Sequence, residues 1–290
     1  MTEAPRLKPQ ILVELLDHSF RLYRENFALF VGLIAIVYVP GQILQMAISA
    51  PITLELGVLM QQWQASARSN PDMALLKQII GHSTQLFVVS ALIGGIVFPL
   101  ATGALTLAAS RRYLGQPTSL RECYRFIFRN FGRYLGTLLL SGLATGLGFM
   151  ACVVPGIFLA VWFVFTSSVV VLEGQGGTEA MGRSRQLSKD NGWRIVGMFL
   201  LVFTISVMLG FGISAFSTFA IQRLGLEPLH EFLAQQALQD VITLFLAPFY
   251  SIGWVLLYYD IRIRNEGFDL EVRLATPPAE PPRPPSPAAA

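Results

Sequence analysis

The sequence predicts an all-α, polytopic membrane protein with about six transmembrane helices, arranged as three units of one amphipathic helix followed by two spans. Three observations carry this. Of 290 residues, 53% are hydrophobic and only 13% charged, against roughly 25% charged in a soluble domain; mean hydropathy is +0.55. The apolar residues fall in uninterrupted blocks of about 20, which at 1.5 Å per residue match a hydrocarbon core of ~30 Å. The Lys and Arg residues gather between those blocks, on alternate connections. Inside lipid every backbone polar group must be satisfied within the protein, which leaves helices or closed barrels. Barrel strands alternate over ~10 residues, and these blocks do not.

Residues 1–10 read as an N-terminal tail, residues 11–274 as the helical membrane domain and residues 275–290, TPPAEPPRPPSPAAA from Thr276 onward, as a disordered Pro-rich tail. The first element, 11–25, sets Ile11, Leu12, Leu15, Leu16, Leu22 and Tyr23 against Glu14, Asp17, Arg21 and Arg24 with 3.6-residue periodicity, an interfacial helix. The first span follows at about 27–48, with a bend expected at Pro40-Gly41. Residues 51–83 read as an external loop containing some helix. The second span, about 84–109, is expected to break at Pro99 and exits at Arg111 and Arg112. A second amphipathic helix at 120–130 places Leu120, Cys123, Tyr124, Ile127 and Phe128 opposite Arg121, Glu122, Arg125 and Arg129. Spans at about 134–153 and 156–172 are expected to be joined by a tight turn over Val153-Val154-Pro155-Gly156. A third polar helix at 178–190 carries Arg183, Arg185 and Lys189, and the last spans lie at about 195–219 and 241–259.

On this map eighteen of the twenty-one Lys and Arg residues lie on the side of the termini, leaving Arg68, Lys77 and Arg223 on the other. Basic residues are retained on the cytoplasmic side, so both termini are expected in the cytoplasm. No cleavable signal peptide is expected, because the first apolar block follows an amphipathic stretch and lacks a small-residue cleavage pattern.

The three units repeat a junction: Arg24-Glu25-Asn26-Phe27, Phe128-Arg129-Asn130-Phe131 and Lys189-Asp190-Asn191-Gly192-Trp193. Pro99 stands twelve residues before Arg111, and Pro248 twelve before Asp260. Internal repeats are common in membrane folds, and this one predicts a pseudo-threefold bundle with a cytoplasmic collar of three amphipathic helices.

Candidate contacts with lipid headgroups or a partner protein follow from the collar. Asn26, Asn130 and Asn191, with the adjacent Arg24, Arg129 and Arg194, read either as helix caps or as headgroup contacts, and the roles are compatible. Arg121, Arg125 and Arg129 offer a surface to anionic phospholipid or an acidic partner. Asp260 and Arg262, with Arg264, read as ion pairs at the exit of the last span, with a ligand contact as the alternative. Gly142 and Gly146 form a GxxxG and Gly94-Gly95 a small-residue patch, either of which admits close helix packing.

Nothing suggests catalysis, a metal, a cofactor or nucleic acid. Cys123 and Cys152 have no neighbour at metal spacing. The span interiors hold no ionisable residue, Asp240 alone approaching the outer start of the sixth, so ion-coupled transport is not favoured. Span serines and threonines, such as Thr166, Ser167, Ser168 and Ser206, are expected to bond their own helix backbone.

Three segments, LLDHSFRLYRENFALFVGL at 15–33, PGIFLAVWFVFTSSVVVLEGQGGTEAMGRSRQLSKDNGWRIVG at 155–197 and LLYYDIRIRNEGFDLE at 256–271, resemble the bacterial family named after the membrane domain of glycerophosphoryl diester phosphodiesterase, with YciC-like inner-membrane proteins as relatives. The resemblance implies a multi-pass protein of the bacterial inner membrane. It brings no mechanism. The phosphodiesterase domain of fused family members begins His-Arg-Gly, whereas the histidines here stand in His18-Ser19, His82-Ser83 and His230-Glu231. The expected role is therefore a non-enzymatic protein that organises lipid or a partner, with a transporter or lipid-translocating protein as the alternative, motivated by Pro99, Pro155 and Pro248.

Overall fold

A computed structural model describes residues 9–66, 73–223, 225, 227–268 and 274. The Pro-rich tail, most of the N-terminal tail and the basic residues at 6, 8, 68, 273 and 283 lie outside the described residues. Among the described residues the regular structure is helical. Six stretches are long and apolar enough to cross a membrane: Phe27–Ser66, Met73–Tyr113, Phe131–Ala151, Val153–Glu173, Gly192–Ala220 and His230–Glu266.

These elements fall into three units. The first is α1 (Leu12–Glu25), α2 (Phe27–Ser66) and α3 (Met73–Tyr113). The second is α4 (Leu120–Arg129), α5 (Phe131–Ala151) and a span assembled from α6 (Val153–Phe163), α7 (Thr166–Ser168) and a π-helical turn at Val169–Glu173. The third is α8 (Gly177–Ser188), α9 (Gly192–Arg223) and α10 (Pro228–Glu266). Within each unit the two spans pair, and each amphipathic helix packs on the second span of the preceding unit: α4 on α3, α8 on α6, and α1 on α10. The last contact closes a ring. The C-terminal ends of the three second spans meet inside it, with Ser110 Oγ 2.7 Å from Tyr259 Oη and the Tyr258 hydroxyl donating to Glu173 Oε1 at 2.6 Å.

The repeat holds residue by residue around the junction asparagines. Seven positions before each lies a fully buried small residue, Ser19, Cys123 or Ser184; four positions after each lies a buried large one, Phe30, Tyr134 or Ile195. Each asparagine side chain donates to the carbonyl four residues back, Asn26 to Leu22 at 3.1 Å, Asn130 to Phe126 at 2.9 Å and Asn191 to Leu187 at 3.3 Å. Each asparagine carbonyl accepts from the residue four ahead, Phe30, Tyr134 and Ile195. The capping is therefore of another kind than expected. An N-cap side chain accepts from the following helix, whereas these close the C-terminus of the preceding one with an N–H donor.

Other boundaries shift for local reasons. Residues 51–83 are not mainly loop, because α2 runs on through Pro51 to Ser66 and α3 begins at Met73. The extension is a helical hairpin held across by His82 Nε2 and Glu55 Oε2 at 2.9 Å. The helix continues through Pro99, as it does through Pro40 and Pro248, which membrane helices tolerate when their neighbours cover the freed backbone groups. At Gly41 a Cβ would stand 2.5 Å from Val97, so glycine is what lets α2 meet α3 there. The α5–α6 turn is one extended residue, Cys152, rather than 153–156. Gly156 sits so close to Phe149 that a Cβ would come within 2.4 Å of its ring, while Gly142, Gly146, Gly94 and Gly95 face open space.

The fourth span is discontinuous. Ser184 of α8 donates to the Trp162 carbonyl at 2.7 Å and accepts from the Phe165 amide at 3.1 Å. Its hydroxyl thus takes the place of a helical bond, and the ladder breaks where a side chain enters it. Facing outward, Phe87, Phe98, Leu143, Met150, Phe203 and Phe211 are 65–85% exposed. So much exposed apolar surface is suited to lipid and not to water.

Candidate functional site

Two ion-pair networks occupy the face where the second spans end. Asp260, 2% exposed, accepts the Gln10 amide at 2.7 Å and the guanidinium groups of Arg194 at 2.6 Å and Arg264 at 3.0 Å. Both arginines also donate to the Gln10 carbonyl. A buried carboxylate needs such compensation, since its desolvation is costly unless every lone pair finds a donor. The result clamps the entry to α1 against the end of α10. In the second network Arg183 of α8 joins Glu173, at 2.9 Å, to Glu266, and Arg262 reaches Glu266 at 3.0 Å. The hydrogen bond to Glu266 raises the pKa of Arg183, burial opposes it and the bond to Glu173 adds to the rise, so the net direction is upward. Arg262 also lies over the ring of Phe268 at 4.3 Å.

Asp260 and Arg194 are thus brought together, while Arg262 pairs with Glu266 in the second network, and all three serve as intramolecular fasteners. Asn191 joins them, donating to Asn265 Oδ1 at 3.2 Å. Arg24, Arg121, Arg125 and Arg129 behave differently. All four are exposed and form no hydrogen bond or ion pair among the described residues. Three of them line one face of α4, where the Ser119 hydroxyl caps the helix and Glu122 turns aside to Arg111 at 3.2 Å. A shallow pocket of about 190 Å³ opens between Arg111, Glu122, Arg125, Phe126 and Arg129. The cationic face can hold a phosphate or carboxylate by charge, with Phe126 in the pocket wall for apolar contact. Asn130 keeps Arg133 near it at 3.1 Å, and Asn26 lies partly buried behind Arg24.

The sequence reading left out Gln10, Glu173 and Arg183 as members of these networks. Glu173 ends an otherwise apolar run, VVVLE, and a lone carboxylate there was the available signal. Among the described residues no three His, Cys, Asp or Glu side chains converge as metal ligands.

Residues 131–259 match a family described only as a domain of unknown function, DUF7847. The match begins at the residue after Asn130 and ends beside Asp260, taking in the spans of the second unit and nearly all of the third. No curated protein matches the chain, and no solved structure does. Nothing in these comparisons connects the chain with the glycerophosphoryl diester phosphodiesterase membrane domain. The chain is a multi-pass helical membrane protein by its six spans, and the matched domain assigns it no function.

Proposed function

We propose that the chain is a non-enzymatic protein of the bacterial inner membrane, termini in the cytoplasm, whose collar of amphipathic helices gathers anionic phospholipid at the cytoplasmic face and can present it to a protein partner. The observation that carries this reading is the contrast within one set of cations. Arg111, Arg183, Arg194, Arg262 and Arg264 each pair with a carboxylate, while Arg24, Arg121, Arg125 and Arg129 stay exposed and free of such partners among the described residues. The kinship suggested by the three sequence segments belongs to the same proposal and adds no activity to it.

Each cation near an anionic surface contributes about 1 kcal/mol. Replacing Arg121, Arg125 and Arg129 by Glu is therefore expected to lower the anionic-lipid enrichment of detergent-free membrane particles about tenfold after allowance for screening. Lipid analysis of the purified particles reads this, and unchanged enrichment would overturn the lipid version.

A second reading, a path for a lipid or solute between the units, is favoured by a cavity of about 170 Å³ bounded by α2, α3 and α10. Tyr38, Gln42 and Thr243 face it, and Asp240 accepts from Gln42 at 3.0 Å and Tyr38 at 3.2 Å beside it. Flux of a labelled lipid in reconstituted vesicles, above that of empty vesicles, would support this reading; none would count against it.

A further inference from the structure

We infer that the seam between α6 and α9 seats one phospholipid with an anionic headgroup, its phosphate where α9 begins and an acyl chain along α6. This rests on the collar as a lipid-gathering surface and names the place where one lipid is held.

The three seams between units are unequal. The third and first units close on each other because α10 packs broadly on α2, whereas α6 and α9 touch over a short stretch. The gap is a groove of about 640 Å³, within the ~300–1,000 Å³ usual for ligand pockets. Its wall is Ile157, Phe158 and Val161 from α6 and Val196 from α9, and its mouth is Lys189 to Arg194. Ile157 and Phe158 are 49% and 58% exposed, so the wall opens sideways onto the lipid-facing surface.

The mouth is built for an anion. The amides of Arg194 and Ile195 both return to the Asn191 carbonyl, while those of Gly192 and Trp193 have no acceptor among the described residues. They stand at the positive end of a 32-residue helix. Lys189 lines the mouth, and Arg185 lies beside it, its guanidinium 4.2 Å over the Trp162 ring. Against these stands Asp190; Arg194 is already shared with Asp260. Trp193, 88% exposed, and Trp162 flank the mouth as interfacial anchors do. An anion-binding end continuous with an apolar, laterally open wall fits a phospholipid; a free phosphate would leave the wall unused.

The test is native mass spectrometry of the full chain taken from nanodiscs of equal phosphatidylcholine and phosphatidylglycerol. Wild type is expected to retain one phosphatidylglycerol. Lys189→Glu is expected to reduce its occupancy about tenfold, and Val196→Trp, which fills the groove, to remove it. The Arg121, Arg125 and Arg129 triple variant is expected to keep it. A thermal midpoint equal to wild type shows that each variant is folded. Equal occupancy in wild type, Lys189→Glu and Val196→Trp overturns the inference, as does a wild type that retains none. If bulk anionic enrichment persists in that last case, the groove fails while the collar reading stands. A single retained lipid without bulk enrichment overturns the collar and leaves the groove.

Discussion

At the scale of single residues, the junction asparagines separate two physical roles that look alike in sequence. Had Asn130 been an N-cap acceptor, aspartate would serve as well. Its side chain instead donates to the Phe126 carbonyl, which aspartate cannot do. Asn130→Asp is therefore expected to cost about 1 kcal/mol, measured as a lower thermal midpoint in micelles; an unchanged midpoint would restore the N-cap account. His18 gives a second prediction. Its ring lies edge-on to Tyr113, with Nδ1 3.3 Å from the Gln10 side-chain Nε2, and its pKa is lowered from 6.5 by burial first and by Arg21 next, with Glu25 and Asp17 opposing. The unfolded chain therefore binds a proton that the folded chain refuses, and stability falls as pH drops through and below 6.5. A melting series from pH 7.5 to 5 is expected to slope downward toward acid in wild type and to flatten in His18→Gln.

At the scale of elements, the fourth span shows what pattern alone reaches. The amphipathic helices were legible because Leu15, Leu22, Cys123 and Ile127 recur at helical spacing and are in fact buried, and the spans because length and hydropathy suffice. The break at Phe165 was not legible, since it is imposed by Ser184, nineteen residues away and on another helix. The same holds for Gly142 and Gly146, whose spacing suits packing but whose face is open. Ser184→Ala removes the acceptor for the buried Phe165 amide and the donor for the partly buried Trp162 carbonyl. It is expected to cost about 1–3 kcal/mol, and an undiminished thermal midpoint would mean that the span re-forms its own ladder. The candidate site was legible in the same uneven way. Arg121, Arg125 and Arg129 could be picked out because they share one face of one helix; Asp260 has one legible partner, Arg264 four residues on, whereas its others are brought from residues 10 and 194 by ring closure that no local pattern encodes.

At the scale of the molecule, three units become one body because each lays its amphipathic helix on its predecessor's second span. The seams differ: two are closed by packing or tight contact, and the third is left with an open groove. The ring puts α1, α4 and α8 at the same end as the meeting point of Ser110, Glu173, Tyr258 and Tyr259. It is also the end that the proposed orientation assigns to the cytoplasm.

That placement is tested most directly by thiol labelling in spheroplasts with a membrane-impermeant maleimide, on a Cys152→Ser background in which the buried Cys123 remains. Single cysteines are introduced at the exposed Asp17, Arg121 and Glu179, one per collar helix, and at Gln62 near the far end of α2. The account predicts that Gln62→Cys labels in intact spheroplasts and that the three collar positions label only after permeabilisation. Labelling of any one collar position in intact spheroplasts, with the others protected, would contradict a single cytoplasmic ring.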